Sequence, residues 1–326
     1  MTPNLQSGQK PGLWRRTPPA IFPPIMGLFG LGLGWRHGAG AFGIGPGLSD
    51  MILGAVTLLY LFAVVAYGAK FVRRAAVVAE DLKVLPGRAG LAAMTQSGLL
   101  LAATALAYAV PAAQVVLWIA LIGHTVLAVL LIRGLIAAPA ESRMVTPVWH
   151  LSFVGFIIAP LAAIPLGYVL LSQVIFWATL AIALFIWAAS AAQALRARVP
   201  APLRPLLAIH LAPAALFTMV ASGLGLHGMA LAFGLVSLAM VAAMGIGVRW
   251  LIAAGFSPLW GAFTFPLAAF ANACFALERS GGGEGWRYAG GVGLVAATLI
   301  VPPIAVKVLQ LWAKGQLAVK TNAATA

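Results

Sequence analysis

Between Leu91 and Arg249 lie about six apolar stretches of roughly 20 residues, the length a helix needs to cross a hydrocarbon core of about 30 Å. The one acid in that region is Glu141, between two stretches. The other acids (Asp50, Glu80, Asp81, Glu278 and Glu284) also fall at or between the ends of apolar runs. A charge near the bilayer centre costs about 2.5–3.5 kcal/mol on insertion scales, so acids are kept there only where they work. The pattern predicts a chain that lives in a bilayer, and a passage through it that holds no titrating carboxylate.

Composition points the same way. Of 326 residues, 62% are apolar and 8% are charged, where a soluble domain carries about 25% charged residues. Mean hydropathy is +1.02. The crossings must be helices, because hydrocarbon leaves no partner for unpaired backbone groups and no barrel-like alternation is present. Ten runs are predicted, near 21–37, 49–72, 90–109, 112–134, 147–168, 171–195, 204–226, 228–249, 257–278 and 287–314. The fold class is therefore all-α and polytopic. One membrane domain over 18–317 is expected between short tails at 1–17 and 318–326.

The charges orient these runs. Seventeen of the 20 Lys and Arg residues fall on the side of the N-terminus. Arg36, Arg279 and Arg287 fall on the other. Short loops rich in Lys and Arg stay in the cytoplasm, so both termini are expected there and the helix count must be even. The expected location is the inner membrane of a bacterial cell. A net charge of +14 could suggest nucleic acid, but the cations sit in short clusters at helix ends and form no stripe. Cys274 alone supports no disulfide or cysteine metal site. Met1 to Arg16 is polar, and no small-residue cleavage site follows the first apolar run, so no cleavable signal is expected.

Prolines divide the runs. The first contains Pro23 and Pro24 with Gly27 and Gly30, the fifth Pro160 and Pro165, the seventh Pro213 and the ninth Pro266. The second, fourth, sixth and eighth contain none, and the tenth has Pro302 and Pro303. Proline removes a donor and frees a carbonyl, which a membrane helix tolerates where neighbours or water satisfy the backbone. One reading is five hairpins whose proline-bearing members face inward, with helix breaks at Pro24, Gly27, Gly30, Pro160, Pro213 and Pro266 lining a passage. The other reading is ordinary kinks. The third run, with Thr95, Gln96 and Ser97 but no proline, departs from the pattern.

The segment Gly27-Leu28-Phe29-Gly30-Leu31-Gly32-Leu33-Gly34, just after a proline pair, resembles the first helix of the tellurite-resistance/dicarboxylate transporter family. That family includes the bacterial tellurite-resistance channel and the plant slow anion channels. Leu259-Trp260-Gly261-Ala262-Phe263-Thr264-Phe265-Pro266-Leu267 with Ala271-Asn272 is similar to its ninth helix, Leu211-Ala212-Pro213 to its seventh, and Lys314-Gly315-Gln316 to the segment after its last. The resemblance implies ten helices as five hairpins in quasi-fivefold arrangement around one pore per subunit, in a homotrimer. It also implies a pore closed by a phenylalanine, at Phe265 here. Without the resemblance, Phe265 reads equally as a lipid- or core-facing aromatic. Pro266, where bacterial relatives can have glycine, would stiffen the backbone beside it.

Other chemistry is thin. The histidines (His37, His124, His150, His210 and His227) form no i, i+3 or i, i+4 pair, and no acid lies near them. His124 and His210 sit within spans and could face each other as haem ligands, though satisfied interior histidines explain them better. No metal or other cofactor is expected. Thr264, Asn272 and His210 are candidate pore-facing polar groups, and interhelical hydrogen bonding is the alternative for Thr264 and Asn272. Gln96 and Ser97 stand in the same position. Asp50 and Glu278 read as interfacial. Gly38-Ala39-Gly40-Ala41-Phe42-Gly43 matches a dinucleotide fingerprint literally, but no strand precedes it and it is placed in an outer loop. The expected function is a passive channel for small monovalent anions, not an enzyme. The alternatives are a proton-coupled dicarboxylate carrier, a tellurite or sulfite exporter, and a membrane-embedded haem or metal protein.

Overall fold

The structure, a computed structural model, describes residues 12–139 and 143–326. Lys10 and Glu141 lie outside the described residues, as does most of the expected N-terminal tail. All regular elements among the described residues are helical: α1 (Phe22–Phe42), α2 (Gly47–Arg73), α3 (Ala76–Asp81), α4 (Leu85–Ala105), α5 (Val110–Ala137), α6 (Pro160–Ala163), α7 (Val169–Arg196), α8 (Leu211–Gly223), α9 (His227–Ile246), α10 (Val248–Leu251), α11 (Gly261–Leu277), α12 (Glu284–Ala313) and α13 (Gln316–Lys320). A π-helical turn at His150–Val154 and a 3-10 turn at Gly155–Ile158 precede α6. A longer 3-10 segment, Ala201–His210, leads into α8.

Seven helical segments are long and apolar enough to cross a membrane. The other three predicted runs correspond to α1, α4 and the segment His150–Ala163. Helices α1 and α4 reach 21 residues each but carry too many small and polar residues for that apolarity. What these lack in hydropathy they have in burial. Helix α11 is buried at nearly every position, and α1, α4 and α8 along most of their length. By contrast α2, α5, α7, α9 and α12 bury only a narrow stripe and expose large aliphatic and aromatic side chains elsewhere. A helix covered on all sides belongs to the interior, and one that is apolar on its uncovered face meets lipid.

Packing follows the same division. Helix α1 packs against α4 and α11, α11 against α8, and the segment His150–Ala163 against both α4 and α8. The five inner segments thus touch one another in a closed cycle. Their N-terminal residues (Ala20 and Pro23, Pro86, Leu151, Leu206, Pro258) line one cavity, so all five enter from the same end. That end also holds residues 12–17 and 316–326.

Several expectations change. Helix α4 begins at Leu85 with Pro86 in its first turn, so the third inner segment does have its proline. Pro111 likewise opens α5, an outer helix. Proline therefore marks helix starts on both kinds of segment. Helix α1 runs unbroken through Gly27 and Gly30, and α11 through Pro266. Pro24, Pro160 and Pro213 stand where 3-10 geometry gives way to α-helix, in the first turns of α1, α6 and α8. The Gly38–Gly43 stretch is not an outer loop but the end of α1, closed by Gly43 at φ 67, a left-handed cap that glycine adopts without a Cβ penalty.

At the terminal end an acid expected at a helix end is fully buried. Asp81 accepts from Lys70 Nζ at 2.7 Å, from the Tyr67 hydroxyl at 2.9 Å and from the Ala324 amide at 2.8 Å. Both side chains of the ion pair are 0% exposed, and Lys70 also donates to the Thr17 carbonyl at 3.1 Å. Beside it Arg74 bridges both Glu80 oxygens and the Thr325 carbonyl. The Arg74 guanidinium holds the Glu80 carboxyl below its usual range. The C-terminal residues, expected as a free tail, are docked.

Candidate functional site

Two chambers lie in line among the inner segments. The one at the terminal end has a cavity volume of about 30 Å³ and is lined by the first residues of those segments. The deeper one has a cavity volume of about 20 Å³ between Met26 of α1, Gln96 of α4, the His150–Ile158 turns, Pro213 and Leu216 of α8, and Phe265 of α11. Leu151 and Ile209 belong to both walls. No acid, Lys or Arg lines either chamber, and His150 is the one titratable side chain in the two linings.

Phe265 is 5% exposed and projects from α11 toward α1 as well as the deeper chamber. The close approach is possible because residue 30 is glycine: a Cβ there would stand 3.2 Å from Phe265 Cδ2 and 3.1 Å from Ala268 Cβ. One turn earlier, a Cβ on Gly27 would fall 2.3 Å from Thr264 Cβ. Gly27 and Gly30 therefore act as a close-contact face for α11, not as breaks. Thr264 donates to the Gly261 and Pro23 carbonyls at 2.7 and 3.1 Å. Asn272 donates to the Ala268 and Gly30 carbonyls, and its Oδ1 lies 2.7 Å from His37 Nδ1. For both residues the interhelical alternative is what the hydrogen bonds display. Ser97 bonds within its own helix, to the Ala93 carbonyl.

The polar groups that reach the deeper chamber are Gln96 and His150. Gln96 is 1% exposed and donates its Nε2 to the Leu151 carbonyl, which fixes the amide and leaves Oε1 without a protein partner. Gly155 makes room for it, since a Cβ there would lie 1.8 Å from Nε2. His150 Nε2 and His210 Nδ1 are 3.0 Å apart, and His150 Nδ1 is unpartnered. His210 therefore does not face His124, which is bonded to Thr95 at 2.7 Å, and the proposed haem pair is not assembled. No cluster of three or more metal-ligating side chains occurs among the described residues. Asp50, in the first turn of α2, is paired with Arg36 at 3.3 Å and accepts from the Tyr108 hydroxyl at 2.6 Å. Burial raises the Tyr108 pKa above its usual range, with the Asp50 hydrogen bond adding to it.

Sequence periodicity could not find the His150–His210 pair, because the two lie 60 residues apart on different segments. The nearest signal for Gln96 was its position in an apolar run that otherwise lacks polar groups of that size. No curated relative matches the chain. Residues 16–309 match the SLAC1 family, described as a voltage-dependent anion channel. With ten helical runs, five buried segments and a neutral pair of chambers between them, the chain belongs to the SLAC1 voltage-dependent anion channel family.

Proposed function

We propose that the chain is a passive channel for small monovalent anions such as nitrate and chloride, closed at rest by the Phe265 ring. The observation that carries this reading is the neutral pathway: two in-line chambers walled by all five inner segments, with no charged side chain in either lining and Phe265 in the wall of the deeper one. A narrow apolar constriction closes by losing its water, and opening then needs the ring to turn or α11 to shift.

Attraction for anions must come from the backbone and the rim. The N-terminal turns of α1, α4 and α11 converge on the chamber at the terminal end, at Pro23, Pro86 and Gly261. Each helix brings about half a positive charge there. The basic face at the same end adds a field that salt screens beyond about 8 Å. The same reading includes a quasi-fivefold ring, three subunits per assembly, a bacterial inner membrane and cytoplasmic termini. Bilayer recordings of Phe265→Ala test it: anion current should rise many-fold at equal expression, and an unchanged current removes Phe265 from the role.

One observation favours a second reading, a proton-coupled carrier of dicarboxylates or an exporter of tellurite or sulfite. His150, bonded to His210, gives the pathway a group that could take a proton. Flux measured with and without a proton gradient separates the two: a coupled carrier concentrates solute, and a channel does not.

A further inference from the structure

A groove of about 680 Å³ opens on the flank of the bundle, between the end of α2, the short helix α3, the first turn of α4 and the end of α5. Most of its lining is apolar, including Phe71, Val78, Leu82, Leu130 and Leu131. Lys83 and Arg88 stand in the same lining and no acid does. Among the described residues the neighbouring acids are occupied, Glu80 by Arg74 and Asp81 by Lys70, and none of the ion pairs involves Lys83 or Arg88. Arg88 is held in place by donating to the Leu82 carbonyl at 2.7 Å and the Lys83 carbonyl at 3.2 Å. A guanidinium has five N–H donors, so most of its fork remains available.

We propose that this groove is a binding site for one anionic phospholipid, with an acyl chain along α5 and the phosphate between Lys83 and Arg88. Three features commit it to lipid. The slot is continuous with the uncovered apolar faces of α2 and α5, where Val72 and Ile136 are exposed. Two cations with no ion-pair partner among the described residues, Lys83 and Arg88, mark one end, beside the last turns of α2 and α5. A second copy of the chain would bring further basic residues to this end, and like charges oppose such a contact. Gly134 lines the slot, and a Cβ there would meet nothing within 4 Å, so the channel along α5 is open.

Native mass spectrometry of the purified full chain tests the site, with phosphatidylglycerol and phosphatidylcholine of identical chains as probes. The anionic lipid should be retained on the order of tenfold better, since each basic group near a membrane surface contributes about 1 kcal/mol. Lys83→Glu should abolish the preference, and Gly134→Phe should lower retention of both lipids, with each variant monodisperse on gel filtration. Millimolar inorganic phosphate should not displace the lipid, which separates a headgroup from a free anion. Equal retention of the two lipids by the wild type overturns the proposal, as does a preference that survives Lys83→Glu. Burial of the groove against another subunit in the lipid-free protein, read as protection of Gly134→Cys from labelling, overturns it as well.

Discussion

Glycine does two different jobs in this chain, and the sequence does not tell them apart. Gly27 and Gly30 read as helix breaks beside a proline pair, yet both sit inside the unbroken α1, where their missing side chains admit Thr264 and Phe265 of α11. Gly27→Ala would put a Cβ 2.9 Å from the Thr264 backbone as well as against its side chain. Overpacking of that kind costs about 1–3 kcal/mol, so the variant should melt earlier than wild type in detergent. Gly30→Ala meets the Ala268 Cβ at 3.1 Å and the movable Phe265 ring at 3.2 Å, looser contacts than at Gly27, and should cost less stability. By tilting that ring it should raise anion current, less than Phe265→Ala does, and recordings of the pair check the order. Phe265 itself was visible only through the family resemblance, because a phenylalanine in an apolar run carries no positional signal. The residues that give the deeper chamber its polarity, Gln96 and His150, were legible as polar side chains but not as neighbours, since contact between separate helices leaves no period in one of them.

At the level of helices, seven of the predicted runs were legible because an apolar length of about 20 residues is what a bilayer demands. Helix starts were less so. Pro86, Gly87 and Arg88 read as loop, yet α4 begins at Leu85, because Arg88 turns its fork back onto the Leu82 and Lys83 carbonyls and the first turn needs no amide from Pro86. The fifth run failed as a simple helix for a packing reason: its π and 3-10 turns wind past Gln96 at Gly155. Asp81 was placed correctly along the chain, at a helix end, but its burial was not legible there. It closes the α2–α4 connection through Lys70, at 0% exposure on both sides. Removing one partner of such a pair leaves an uncompensated buried charge and costs about 3–5 kcal/mol. Lys70→Met should therefore lower the melting temperature sharply and loosen the C-terminal segment, whose Ala324 amide binds the same carboxylate. The double variant Lys70→Met with Asp81→Leu should recover most of the loss, because two apolar groups leave no charge behind. A double variant as unstable as the single one shows that the Tyr67 and Ala324 contacts, not the ion pair, hold the joint.

For the whole molecule, the separation of charge from pathway predicts which ions pass. All of its excess basic charge lies outside the two chambers, and nothing ionised lines them. An anion entering the deeper chamber thus gives up water and receives in return only helix dipoles, Gln96 and His150. Under those terms the cost of dehydration ranks the ions. Nitrate and iodide, which hold water weakly, should pass more easily than chloride. Sulfate should pass worst, since the Born cost of leaving water rises with the square of the charge, roughly fourfold for a divalent ion. The rim should matter in a separable way. Its field acts over a Debye length, so raising ionic strength should reduce the conductance enhancement from the basic side without altering the permeability order. Reversal potentials in the Phe265→Ala variant under mixed-anion gradients measure that order with the proposed lid removed. If sulfate or a dicarboxylate proves the most permeant ion, the pathway must present a cation to it. The His150–His210 pair, protonated as the anion arrives, would then be the group to replace first.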